Sequence, residues 1–490
     1  MKNILIMKVT AITTILFLLL FAQSTKGQST TFEYLLSTQM DEIFMEIVET
    51  ADGSIYFSGD LSTIEHPYYK TSLIAKLDNN GVLIDSNILT YPNKSLFVHR
   101  LLSVDSNNFV VVASVFDTIG WNTKSGIVLY NMDEDLNLTN QTIYCFDTVY
   151  SLIDIYAYLE PDSNIMTSIA LHIPPQNPKT SIYEFNSNFD SLRAKYYPDG
   201  ARIINSFKHL SDGNYWMLNM LLGQYELYDS ALNIIDEQDI PDWLKGNQSV
   251  VWDTDSSFYL VGKATHSSPP HNLGFIKQFH PMDTTGHIYN HWNISDTVDY
   301  PAFWGGIDFN NKDSIFIGGT RNMWGSYYNR WPSWFIILQT DSLLNIRWER
   351  FYGGDAYYMM GKLIATNDGG CLVAGTRYDY LNTTDLETDI IILKLNSEGL
   401  ITSNPGKPSV EMHEAIVYPN PGTSVINVRI AIQYKQSVFE LFDINGRHIL
   451  KENFVGTLGT VNTTFLEQGT YIYRITSDDG LFETGKWVKQ

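Results

Sequence analysis

Asp341-Ser342-Leu343-Leu344-Asn345-Ile346 opens the stretch whose reading decides the fold. Strand-like runs follow at 347–352 and 360–366. Then come the turn Asn367-Asp368-Gly369-Gly370, a run at 371–376, a variable loop and a run at 389–395. Asn396-Ser397-Glu398-Gly399-Leu400-Ile401 returns to the opening chemistry. The stretch reads as one four-stranded sheet that recurs along the chain.

The same turn, Asp/Asn-x-x-(Gly or apolar)-x-(usually apolar), starts at Asp78, Asp133, Asn186, Asp229, Asp283, Asp341 and Asn396, with gaps of 55, 53, 43, 54, 58 and 55 residues. Asp or Asn in first place closes an Asx-type turn on its own backbone. The copy at Asn186 reads as degenerate, with Phe189 in fourth place. A second turn runs in phase: Asp52-Gly53, Asp212-Gly213, Asp255-Ser256 and Asp368-Gly369, with looser copies at Ser106-Asn107, Asp162-Ser163 and Lys312-Asp313. Two independent markers at one period define repeats at about 41–95, 96–147, 148–199, 200–244, 245–297, 298–354 and 355–402. A lone four-stranded sheet leaves an apolar face and two edges open, so neighbouring sheets must cover it. Seven such sheets arranged radially make a seven-bladed β-propeller, and an all-β chain is expected. Residues 31–37 precede the first repeat and are expected to complete the last blade from the opposite end of the chain.

Composition agrees. Aromatics make up 13% of the 490 residues, with 30 tyrosines, and charged residues only 18%. That suits short strands and many turns. A formal charge of −22 lacks the cationic footprint that nucleic acid demands, so no nucleic-acid partner is expected. Cys145 and Cys371, the two cysteines, lie in different repeats and read as buried free thiols. At the start, Lys2 and Lys8 precede an apolar stretch at 9–22, and Ala22-Gln23-Ser24 offers a cleavage pattern. Residues 1–27 are therefore expected to be a secretory signal peptide, leaving no transmembrane span in the mature protein.

Beyond the repeats, at 28–402, the stretch 403–413 with Pro405, Gly406 and Pro408 reads as a linker. Strand-like runs at 415–418, 425–432, 438–443, 448–454, 461–466, 470–476 and 482–488, with turn dipeptides Asn445-Gly446 and Asp479-Gly480, predict a small immunoglobulin-like sandwich at 414–490. Tyr418-Pro419-Asn420-Pro421, the run from Val425, Asn445-Gly446-Arg447, Gly469-Thr470-Tyr471-Ile472-Tyr473 and Lys486-Trp487-Val488-Lys489 occur in that order. In this the tail resembles the type A C-terminal sorting domain of type IX secretion substrates. Tyr418 stands where phenylalanine is more usual, and Trp487 where an aliphatic residue is. The resemblance implies the type IX secretion machinery as partner and a secreted or extracellular destination, either released or attached to the outer-membrane surface of a Gram-negative bacterium. It also implies that Tyr418, Pro419, Asn420, Pro421, Gly446, Gly469, Tyr471 and Lys486 carry the sorting signal, and that the tail is removed.

No Gly-x-Ser-x-Gly, His-Glu-x-x-His or phosphate loop occurs. Asp133-Glu134-Asp135 begins like a calcium loop, but Leu138 and Tyr144 occupy the places of its glycine and bidentate glutamate. Histidines are scattered, and neither metal nor cofactor is expected. Both regular turns fall at one end of each sheet; unlike loops crowd the other end, where recognition is expected. The richest loop runs from Arg321 to Trp331 and holds Trp324, Tyr327 and Tyr328; neighbouring connections supply His266, His271, Tyr300, Phe303, Trp304, Arg377, Tyr378 and Tyr380. Aromatic faces with amides and cations stack sugars or grip peptides, so a glycan or protein ligand at the cell surface is the leading expectation. A carbohydrate-active hydrolase or lyase on the same face, and a structural or adhesion component, are the alternatives.

Overall fold

A computed structural model describes residues 30–490 apart from 39, 64–65, 93, 118–124, 147–150, 173–178, 198–201, 245, 247, 265–271, 284–285, 293–297, 383–385, 403–414, 419–421, 431–435, 445, 457 and 478–481. The expected signal peptide and linker, and His266 and His271, lie outside the described residues. The chain divides into two compact units, Met1–Ser403 and Asn404–Gln490. No helix among the described residues is long and apolar enough to cross a membrane.

The first unit is a seven-bladed β-propeller. Blades 1 to 5 are antiparallel four-stranded sheets at 41–89, 94–146, 151–197, 204–239 and 249–292. In blade 6, at 300–353, the inner strand is broken into Tyr300–Pro301 and Ile307–Asn311. Between the two pieces the Phe303 and Trp304 amides donate to Met360 and Gly361, 3.2 and 2.7 Å, so blade 6 borrows backbone partners from blade 7.

Blade 7 is Tyr357–Ala365, Cys371–Tyr378, Asp389–Leu395 and, as its outer strand, Phe32–Leu36, paired from Phe32↔Lys394 to Leu36↔Ile390. The clasp expected from residues 31–37 is therefore present. The stretch at 341–401, however, is not one sheet. Its first strand, Ile346–Gly353, is the outer strand of blade 6, and the other three belong to blade 7. The repeat bounds expected at 298–354 and 355–402 already divide these strands in the same way.

The recurrent turn explains how blades pack. The Asp341 carboxylate accepts from the Leu343 and Asn345 amides, both 2.9 Å, and from Asn345 Nδ2 at 2.9 Å. Asp133 does the same with Asp135 and Asn137, so the calcium-like run is a turn. This geometry forces the fourth residue to positive φ: Leu136 61°, Phe189 66°, Leu232 60°, Leu344 65°. A left-handed non-glycine residue costs about 1–2 kcal/mol. Burying its side chain between blades returns about 1.5–3 kcal/mol, and all four are fully buried. Phe189 does what its leucine counterparts do, so the Asn186 copy is regular. At the clasp the place is Gly81, where a Cβ would lie 2.5 Å from the Phe32 ring.

In five of the turns the carbonyl of the fourth residue also accepts a bond across the seam. Asn87 reaches Leu136 O (3.1 Å), Tyr144 reaches Phe189 O (2.7 Å), Tyr197 reaches Leu232 O (2.6 Å), Asn290 reaches Leu344 O (2.8 Å) and Tyr352 reaches Gly399 O (2.7 Å). In every case the donor sits on the outer strand of the preceding blade. Cys371 is buried as expected; Cys145 is exposed, because it lies on a blade's outer strand rather than within the stack.

The second unit holds Ala415–Tyr418, Val425–Ile430 and Leu458–Asn462 in one sheet, and Gln436–Asp443, His448–Val455, Gly469–Thr476 and Phe482–Lys489 in another. The run expected at 461–466 starts and ends earlier, since Leu466 N turns back onto Thr463 O. Ile426, Val428, Phe439, Leu441, Ile475 and Trp487 form its core.

Candidate functional site

Inner strands run from the loop-rich end of the propeller to the turn end, so their first residues border the loops. The loop at 321–333, joining the middle strands of blade 6, is locked by its own polar groups. Trp331 Nε1 donates to Asn322 O (3.0 Å), and Asn322 Nδ2 to Pro332 O (2.7 Å). The Tyr357 hydroxyl accepts from Trp324 N and donates to Trp324 O, both 3.1 Å. Asn329 Nδ2 donates to Trp324 O and Ser326 O. Met323, Tyr357, Met359 and Tyr378 form a small core beneath, with Tyr300, Phe303, Tyr327, Tyr328, Trp331 and Tyr380 packed on it.

The structure thus sorts the expected site residues. Trp324 is 55% exposed, on a backbone pinned from both sides. Tyr327, Tyr328 and Trp331 are half-buried, and Tyr378 is fully buried beneath them. Arg321 stacks over Trp334 and Phe351, 5.4 and 5.8 Å to the ring centroids. Arg377 is taken up by Asp355 (3.3 Å), Asp379 (3.0 Å) and Asp389 (3.5 Å), so its charge is committed to three carboxylates and it offers little to a ligand. Trp304, half-buried, packs into the core between blades 7 and 1. Exposed Arg330, Leu381 and Leu386 complete the accessible chemistry; the two leucines carry no motif in the sequence.

Sequence reasoning also missed what lies across the ring. Tyr328 donates to Asp41 Oδ2 at 2.7 Å, so the blade 6 loop reaches past blade 7 to blade 1. Asp41 lies opposite Ser62 and Asp60 opposite Ile43, on one face of blade 1. Burial pushes the Asp60 carboxyl up to about 7 despite Lys70 and a Ser72 hydrogen bond at 3.0 Å. Burial also pushes Tyr327 up to about 12, with Asp60 and Asp41 adding to it. Glu42, on the opposite face and fully buried, rises to about 8, chiefly through burial and secondarily through neighbouring carboxylates. Among the described residues its Oε2 has no hydrogen-bond partner.

These shifts set a pH dependence. Glu42 moves from 4.5 to about 8 on folding, so the neutral form is favoured in the fold; stability is complete below 4.5 and is lost as pH rises through 8. Asp60 and Glu160, each raised to about 7, act in the same direction. Turn hydrogen bonds lower Asp133, Asp229 and Asp341, whose contribution is lost only as pH falls below 3.8. The melting temperature is expected to peak at about pH 4–5 and to fall towards pH 9. Glu42→Gln should flatten that fall; an identical slope in wild type and variant would refute the assignment.

In the tail, Asp443 pairs with Tyr471, and Tyr471 with Trp487. The Asp443–Arg447 turn, with Gly446 at φ 81°, therefore shares one end of the domain with Gly469 and with Lys489, which bridges to Gly422. Tyr471 is buried and donates to Glu467 O (2.9 Å); Lys486 is exposed. Pro419, Asn420 and Pro421 lie outside the described residues, as does the Tyr418 side chain.

A propeller followed by a small all-β tail is the class these features define. Residues 416–490 match the family described as the secretion system C-terminal sorting domain. The chain is thus a substrate of the type IX secretion machinery, secreted or displayed at the cell surface. No curated protein matches it. Among solved structures, it is similar to virginiamycin B lyase from Staphylococcus aureus at 12% identity and TM-score 0.42, covering 75% of this chain and 99% of that one. It is also similar to YCF48 from Cyanidioschyzon merolae at 10% and 0.43, covering 75% and 100%, and to the WD40 domain of Toxoplasma gondii coronin at 7% and 0.42, covering 75% and 86%. Those values transfer no activity to this chain.

Proposed function

We infer that the exported propeller is a binding protein whose loop-rich end recognises a glycan or protein ligand outside the cell. On this reading residues 1–27 are removed as a signal peptide, and the tail at 414–490, an immunoglobulin-like sandwich, is removed at the 403–413 linker. The propeller is then released or held at the outer-membrane surface. The observation that carries the binding role is Trp324: an indole left open to solvent on a backbone held by Tyr357 and Asn329. An exposed ring on a fixed loop loses little conformational freedom when a sugar or peptide stacks on it. Trp324→Ala is expected to weaken binding on a glycan or surface-protein array by about tenfold or more, with the melting temperature unchanged. Equal binding by the variant would sink the proposal.

A second reading, a carbohydrate-active hydrolase or lyase, is favoured by Asp60. Its carboxyl exchanges a proton near neutrality and shares a blade face with Asp41. Turnover of a polysaccharide by wild type but not by Asp60→Asn would establish it; binding without turnover leaves the first reading standing.

A further inference from the structure

Two ligand classes suit an exposed indole, and the charges beside Trp324 separate them. The Gly354 amide donates to Ser333 O, at the foot of the Trp324 loop, at 2.9 Å. Asp355 follows, two places before the Tyr357 hydroxyl that pins Trp324. The Asp355 side chain is 65% exposed. Tyr380 links the two regions. It packs with Tyr327 and Trp331 on the small core beneath the loop, and burial, then Asp355 and Asp379, raise its hydroxyl above the ordinary value. Leu381, next in the chain, is 67% exposed.

The carboxylates here outnumber the cation that serves them. Arg377 meets Asp355, Asp379 and Asp389 within 3.5 Å. Burial and the Asp355 charge hold Glu33 above its ordinary value despite Arg377. Burial, with Asp379 adding to it, does the same to Asp389. Against burial, the Tyr358 hydroxyl (2.7 Å) and Arg377 keep the Asp355 carboxyl below its ordinary value, so this exposed group stays charged. Four carboxylates therefore share one guanidinium. The surplus continues inward: Glu42, fully buried and raised by burial and then by Asp389 among others, keeps Oε2 without a partner among the described residues. Arg330, also exposed, does not serve this group. It lies 3.5 Å from the Tyr378 hydroxyl, and Tyr378 and Arg377 point to opposite faces of their strand.

We propose that the ligand of the Trp324 face is a polypeptide segment that sets a lysine or arginine beside an apolar residue. The cation takes the place over Asp355, the apolar side chain covers Leu381, and the Trp324 indole packs on the flank. The proposal rests on the binding role of that face and narrows its ligand. A neutral glycan leaves the Leu381 side chain bare and the surplus charge unmatched, and an acidic glycan is repelled.

The test uses the full chain on an array of short peptides in which two adjacent positions run through all residue types, at about 0.15 M salt. Cationic–apolar pairs are expected to be retained about tenfold better than acidic–apolar pairs. Asp355→Asn should cut that preference about fivefold. Asp85→Asn, the same charge change on the exposed outer strand of blade 1, should leave it unchanged. Leu381→Ser alters an exposed side chain and should lose the apolar preference with the melting temperature unchanged, so it decides if Asp355→Asn does not fold. Equal retention of cationic and acidic pairs overturns the proposal. So does a preference unchanged in both Asp355→Asn and Leu381→Ser, or an equal fall with Asp85→Asn. Retention on a neutral-glycan array that Trp324→Ala abolishes, with no cationic preference among peptides, sinks this proposal and leaves the binding role of the face standing. Binding by Trp324→Ala equal to wild type on both arrays sinks both.

Discussion

Deleting residues 30–37 is expected to lower the melting temperature of the propeller by about 5–10 °C. The strand Phe32–Leu36 supplies the outer ladder of blade 7, and Phe32 is packed against Gly81 of blade 1. Withdrawing Phe32, with the partly buried Tyr34 and Leu36, removes roughly 5 kcal/mol of apolar burial, and leaves the Asp389–Leu395 strand as an open edge. Thr31 Oγ1 would also release the Thr402 amide, now bound at 2.8 Å.

The seam that the clasp protects is unusually polar. Asp41–Glu49, the inner strand of blade 1, spends its side chains on blade 7. Asp41 accepts from Thr388 N (3.2 Å), Glu46 from Lys362, and Glu49 from Lys394 (3.1 Å) and Asn367 N (2.7 Å). Glu46 also meets Arg100 of blade 2 at 3.8 Å, so the charges knit three blades together. Buried ion pairs break expensively when one partner is exposed to water. A melting temperature unchanged by the deletion would show that the ring closes without its clasp.

Removing residues 411–490 is expected to abolish surface display, by about tenfold or more, while folded propeller accumulates in the periplasm. The tail is a compact unit with its own core around Phe439, Leu441 and Trp487. Efficient display of the truncated protein would refute the sorting role. Mass spectrometry of exported wild-type protein should place its C-terminus at 403–415; intact tail on every exported molecule would contradict processing.

The turns were legible because their code is local. Asp341 closes a loop on the amides of residues two and four places ahead, and nothing distant is needed. The fourth place was legible only as glycine or apolar. That Leu344 is strained and Phe189 equivalent to it follows from the neighbouring blade, which buries both. The candidate site was legible as a rich loop but not as a surface. Reading residues one at a time cannot tell exposed Trp324 from buried Tyr378, since both are aromatic residues in loop-end positions.

The sequence by itself determined the all-β class, the number of repeats, the clasp and the sorting tail. Each rests on short-range chemistry or on motifs in fixed order, which survive without knowledge of neighbours. Only the tertiary structure decided which side chains meet across the seams and which stay exposed. It alone joined Tyr328 to Asp41 across 287 positions and committed Arg377 to three carboxylates. Those outcomes depend on ring closure, which brings together residues from opposite ends of the chain and fixes the burial of each at once.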